Sequence, residues 1–465
     1  MTAQTDFPSR AESRRAFAVS PEFKAFVSRL HFYIGLFVGP FILVAAITGT
    51  LFVLTPQIEI FLYREQLTTT TTGEPASLAA QVAAARGHIG EGPRLFAVRP
   101  AEAPGFTTRI MFAQPGLGDS ESRAIFVDPV SLKIHGDMIV YGTSGTLPFR
   151  TQLDYLHRNL LLGEFGRNYS ELAASWLWAV VLGGVLMWYW RRHPEAAARA
   201  KRNPALKTRR LHGLIGLWLA VGLVFLSITG LTWSKYAGNR IDTLRGQLNW
   251  VTPSVSTKLG AAPAAEASGH AEHDHDHGGA MLAKAPPTPV EQLDSVLARA
   301  REAGIDSAFV EVRPPRAEGQ AWLIREYDRS WPTQVDTITI DPRDLSVTSR
   351  ADFETFPIIA KLIRWGIDAH MGILFGLPNQ LLMAALGILL ATTTILGYRI
   401  WWKQRPPAGS IPRTVAQAWL RLHPITKAGV VALGLALGWA LPLVGISLAL
   451  FVLVDIVRWR ATRPS

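Results

Sequence analysis

Four apolar stretches, at residues 31–54, 171–190, 212–233 and 377–402, restrict this chain more than any other feature. Each can cross a hydrocarbon layer about 30 Å thick as a helix, which takes roughly 20 residues. Backbone placed in lipid must satisfy its own N–H and C=O groups, so helices are the expected form. A further stretch, 427–459, is interrupted by Gly438 and Pro442 and followed by Arg458, Arg460 and Arg463. Two short helices turning near Pro442 keep that basic tail on the same side as the other basic segments, which one straight helix would not. The fold class expected is therefore a mainly α membrane protein.

The net charge of +11 raises the question of nucleic acid, but its placement answers it. Residues 191–210 carry eight Lys or Arg and one acid, and 403–427 carry five and none. Loops of that kind stay in the cytoplasm. This puts 1–30, 191–211 and 403–426 inside and leaves 55–170 and 234–376 outside. The charge is a topology signal, and no nucleic-acid partner is expected. The first 25 residues are polar, with Arg10, Arg14, Arg15 and Lys24, and show no cleavable signal pattern, so 31–54 is expected to be an uncleaved anchor. The chain has no cysteine, which excludes disulfides, thiolate metal sites, iron–sulfur clusters and covalently attached c-type haem. Nucleotide-binding glycine fingerprints, a P-loop, a nucleophile elbow and an HExxH motif are all missing. Any electrons it moves come from a partner, either membrane quinol or a soluble reductase.

The chain repeats itself. Arg29-Leu30-His31-Phe32-Tyr33-Ile34-Gly35-Leu36 returns as Arg210-Leu211-His212-Gly213-Leu214-Ile215-Gly216-Leu217. Ile47-Thr48-Gly49 and Ile228-Thr229-Gly230 follow at one common offset. His157 precedes Gly163 as His370 precedes Gly376, and each of the two stretches that follow ends in a basic, aromatic belt. In the outer segments, helices are expected at Ala76–Arg86 and Val290–Ala303. Strands are expected at Arg94–Arg99, Thr107–Phe112 and Ala124–Val127, and again at Ala308–Val312, Ala321–Arg325 and Thr337–Ile340. Asp128-Pro129 and Asp341-Pro342 follow the third strand of each set, a natural turn. The plan is a four-helix core of two parallel repeats, two small outer α+β domains and a C-terminal hairpin.

Four histidines occupy matched places: His31 and His212 at the inner mouths of the first and third spans, His157 and His370 at the outer mouths of the second and fourth. Two neutral imidazoles on facing helices can hold a haem iron from both sides. One pair near each surface would hold two b-type haems stacked across the bilayer. A ligating group at membrane depth is costly and points to function, although a metal site or proton relay is open on the same residues. Gly35, Gly39, Gly49, Gly213, Gly216, Gly222 and Gly230 either make room for a flat macrocycle or let helices touch. Arg158 and Arg364 can pair with haem propionates or lipid phosphates. His270, His273, His275 and His277 alternate with acids in a linker rich in Ala, Gly and Pro. They read equally as a metal-collecting loop, with His273, His275 and His277 as weak ligands, and as a polar linker.

From about residue 25 to 405 the chain resembles the PepSY-associated transmembrane proteins. The RLHxxIGL openings, the Ile-Thr-Gly triplets, the outer His-x5-Gly elements and the two Asp-Pro domains carry the resemblance. Within that family the layout is similar to FoxB-type ferric-siderophore reductases of bacterial inner membranes. This implies bound haem b, a periplasmic ferric siderophore as substrate, and PepSY-like outer domains. Two other functions stay open: a PepSY regulator of an extracytoplasmic peptidase with purely structural histidines, and a metal-transport protein that uses the His-rich loop.

Overall fold

A computed structural model describes residues 19–461 apart from 91, 119, 143, 193–203, 261–264, 267–288 and 406–413. Among these residues four helices are long and apolar enough to cross a membrane: Gly163–Arg191, Leu206–Thr232, Gly376–Gln404 and Pro442–Arg460. The helices Pro21–Phe37 and Gly39–Val53 pass that test only as a pair, bent by 57°. The first span, expected at 31–54, is thus a pair of helices broken at Val38. Its break has a local cause. Pro40 has no N–H to donate to Leu36 O, and its ring crowds that carbonyl. The hydroxyl of Tyr398 donates to Leu36 O instead, at 2.8 Å. Gly39 makes the approach possible, since a Cβ there would lie 2.9 Å from the tyrosine oxygen. At the other end of the chain, Pro424–Ala440 and Pro442–Ala461 are separate helices that meet at Leu441. They pack closely enough that a Cβ on Gly445 would lie 2.9 Å from the Gly438 Cα.

The chain divides into two compact units. One contains Met1–Val44, Asn168–Ile228 and Leu389–Ser465; the other contains Ala45–Arg167 and Thr229–Ile388. The second unit holds the sheet. In chain order its strands are β1 (Arg94–Arg99), β2 (Thr108–Ala113), β3 (Glu121–Val127), β4 (Ile134–Tyr141), β5 (Val310–Arg313), β6 (Trp322–Glu326), β7 (Thr337–Ile340) and β8 (Val347–Ala351). Their order across the sheet is β8-β7-β6-β5-β1-β2-β3-β4. The two outer segments are therefore not separate domains. Each contributes a four-stranded meander, and β1 joins β5 antiparallel through Val98 and Val312.

Burial explains the fusion. The helices Leu78–Ile89 and Leu293–Glu302 share one apolar core with both meanders, built on Leu95, Ile110, Val312, Trp322 and Ile324. A four-stranded sheet with one helix has an open edge, and pairing edge to edge closes one on each half. The seam is tied by Glu311, fully buried, which accepts from Arg99 across it at 2.7 Å and also from Arg313 and Arg325. Burial alone would raise this carboxyl, but Arg325, Arg99 and Arg313 hold it well below the usual range. The Asp-Pro turns have one geometry in both halves. Leu132 and Leu345 take positive φ, and each N–H donates to the aspartate carbonyl, at 3.0 Å in both.

Candidate cofactor site

The octad histidines come together. His31 and His212 lie in the first unit with ring centroids 6.4 Å apart and planes crossed at 81°. His31 Nδ1 lies 2.9 Å from Val180 O, and His212 Nδ1 lies 2.9 Å from Thr393 O. A carbonyl can only accept, so each Nδ1 carries the proton and each Nε2 keeps its lone pair. That is the tautomer a metal ligand needs, with a main-chain group fixing it from behind. The carbonyls are reachable because the residue one turn further on is glycine: Gly184 after Val180, and Gly397 after Thr393. A Cβ on Gly184 would lie 3.3 Å from His31 Cε1, and one on Gly397 3.4 Å from His212 Cε1.

The ring spacing suits an iron between them. With metal–nitrogen bonds of about 2 Å and about 1 Å from nitrogen to ring centre, ligation from both sides sets the centroids roughly 6 Å apart. The glycines one turn from each histidine leave space on the same helix face. A Cβ on Gly35, Gly213 or Gly216 would meet no atom within 4 Å. These three are not close helix-contact residues, whereas Gly39 and Gly49 are: a Cβ on Gly49 would lie 3.0 Å from His157 Cε1.

His157 and His370 belong to the second unit and do not lie on the spanning helices themselves. They end two short helices, Pro148–Asn159 and Ile358–His370, which precede the spans. Left-handed residues make the corners: Leu160, Leu161 and Gly163 after the first, Gly372 and Gly376 after the second. His157 Nδ1 meets Thr48 Oγ1 at 3.0 Å, and His370 Nδ1 meets Thr229 Oγ1 at 2.6 Å. These are the threonines of the repeated Ile-Thr-Gly triplets. Thr48 donates its own proton to Ala45 O, so it accepts from Nδ1 of His157. Burial, and then the neighbouring His157 ring, push His370 down to about 4, so its imidazole is neutral near pH 7.

Arg158 and Arg364 are already engaged. Arg158 donates to the Tyr141 hydroxyl at 3.0 Å and lies 3.8 Å from Asp154. Arg364 donates to the fully buried Asp368, whose other oxygen takes Arg329. Two further residues were not singled out by the sequence. Arg329 pins the His370 helix two positions before the histidine. Arg150 sits two turns before His157 on the same helix face, its guanidinium 4.7 Å over Phe52. No spacing rule marks either, since their partners are far away in the chain. His270, His273, His275 and His277 lie outside the described residues. Among the described residues no cluster of three metal-ligating side chains occurs.

The apolar helices define a multi-pass membrane protein in which His31 and His212 face each other. The PepSY-associated TM region family matches residues 28–404, most of the chain, and the protein belongs to that family. No curated protein matches it.

Proposed function

We propose that this protein is an inner-membrane dihaem reductase that passes electrons to a periplasmic ferric siderophore. His31 with His212, and His157 with His370, would hold two b-type haems, in a core of two parallel repeats. The observation that carries this reading is the common anchoring of four repeat-matched imidazoles. Each has Nδ1 against an oxygen from another helix, and the inner two are spaced for one metal. Bound haem supplies one-electron transfer. Val180 O, Thr393 O and Thr48 orient the rings so that no ligand must rotate when an electron arrives. Siderophores hold Fe(III) through hard oxygens, and reduction to Fe(II) loosens that hold. The fused sheet of the second unit would form the docking surface.

The test is spectroscopic. Protein purified after growth with ample haem should be red, with a Soret band and an α band sharpened by dithionite. His212→Ala should lower the haem content from two per chain to one, and His370→Ala should remove the other. A colourless preparation would sink this reading in favour of a peptidase regulator whose histidines are structural.

A further inference from the structure

The hairpin between β6 and β7 ends in a tip closed by pairing of Asp328 with Gln334, and Trp331 within that tip is 56% exposed. We infer that this tip and the helix Ile358–His370 rest in the headgroup layer of the bilayer, with phospholipid as the partner of their exposed apolar face. The inference rests on the membrane-spanning helices and is independent of the haem reading.

Three observations carry it. First, the tip is tied to the end of a span. The Trp331 N–H donates to Leu374 O at 2.7 Å, and its ring lies 6.1 Å from that of Phe375. Phe375 directly precedes the spanning helix Gly376–Gln404. Trp365 lies 5.3 Å from Trp331 and donates from Nε1 to Thr333 of the tip at 3.1 Å. Secondly, the depth fits. Arg399 and Lys403 mark the opposite membrane surface. A hydrocarbon layer of about 30 Å takes about 20 helical residues, so counting back from Arg399 puts its other boundary near Asn379. Phe375 is then about 6 Å beyond that boundary, within a headgroup layer roughly 5 to 8 Å thick. Tryptophan favours that layer. Thirdly, the helix Ile358–His370 keeps an apolar stripe away from its own core. Ile358, Leu362 and Trp365 follow one another at successive turns, while Ala360, Ile367 and Asp368 are buried on the other side. A helix of that kind lies in the plane of the interface. The apolar surface runs on into the span, since Ile358, Leu362, Phe375 and Leu377 are all more than half exposed. The tip also carries Arg329, which donates to Asp368 two positions before His370. Lipid contact and ion pair thus act on the same helix.

The chain has no cysteine, so one introduced cysteine reports on one site. The experiment uses full-length protein carrying Trp331→Cys or Leu362→Cys, labelled with a nitroxide and reconstituted in phosphatidylcholine nanodiscs at one chain per disc. Collision of the label with oxygen, which concentrates in lipid, is compared with collision with a water-soluble nickel chelate. The reference is Arg343→Cys, on the exposed turn at the end of β7 opposite the tip. The ratio of oxygen to chelate collisions at 331 and 362 should exceed that at 343 about tenfold or more. Leu362→Cys leaves the tip intact, so the test stands even where Trp331→Cys does not fold. A ratio at 362 equal to that at 343 would overturn the proposal. So would a label reached by neither agent, which would mean that protein covers the face. Dipolar broadening that appears only at two chains per disc would assign the face to a second copy of this chain instead.

Discussion

The inner and outer histidine pairs are built on the same offsets but anchored by different chemistry. The inner rings lean on main-chain carbonyls of spanning helices, uncovered by Gly184 and Gly397. The outer rings lean on threonine hydroxyls and sit on short helices, one held by the Arg329–Asp368 ion pair and the other by Arg158 donating to the Tyr141 hydroxyl. A carbonyl cannot be removed by substitution, so the inner pair is vulnerable only to bulk. The outer pair can be loosened one side chain at a time. In the proposed dihaem form, the inner centre would be set by the spanning helices and the outer one by the unit that carries the sheet.

The largest expected effect comes from the ion pair behind His370. Arg329→Ala removes one of the guanidinium partners of the buried Asp368. Breaking a buried pair costs about 3 kcal/mol or more, so the midpoint of thermal unfolding in detergent should fall clearly. In the proposed dihaem form, the outer spectral signal should broaden while the inner one stays unchanged. If both signals change equally, the pairs are not independently anchored.

A smaller effect is expected from the threonines. Thr48→Val or Thr229→Val removes one hydrogen bond worth about 1 kcal/mol from an outer ring, and His157 keeps its main-chain contact with Ala45. Redox titration should then move one of two midpoints. Gly184→Ala brings a methyl 3.3 Å from His31 Cε1 and should move the other. Movement of the same midpoint in both variants would contradict the assignment of one pair to each unit.

The smallest effect concerns pH. Glu59, which is 8% exposed, accepts the backbone N–H of Arg150 near the start of the His157 helix. Burial pushes its carboxyl up to about 7, against the pull of Arg150 and Arg109. A raised carboxyl means that the folded protein holds a proton the unfolded chain has released. Its contribution to stability is therefore present below about 4.5 and lost as pH rises through about 7. Glu59→Gln should flatten the decline in thermal stability between pH 5 and 8. An unchanged slope would show that Glu59 is already ionised at pH 5.

Much of this was legible in the chain. The apolar stretches, the helix and strand periods and the Asp-Pro turns are local signals, read from neighbouring residues. The repeated octad and the Ile-Thr-Gly triplets marked His31, His212, Thr48 and Thr229 as related. Other features were not legible. The fourth strand of each meander, Ile134–Tyr141 and Val347–Ala351, mixes polar and apolar residues and gives a weak alternation. The break in the first span was written in Gly39-Pro40 but was masked by the apolar run around it. Sequence could place His157 and His370 near span ends, but not on separate helices, because that depends on left-handed corners at Leu160, Leu161 and Gly372.

The sequence by itself determined that the chain crosses a membrane repeatedly, which ends are basic, and that its histidines come in matched sets. Those follow from hydropathy, charge and repetition along the chain. Only the tertiary structure decided which atoms hold each ring and that two outer segments share one sheet. It alone also decided that Tyr398 answers the carbonyl left open by Pro40. Each of these is a contact between residues far apart in sequence, fixed by the need to satisfy buried polar groups and close strand edges, and no local pattern records it.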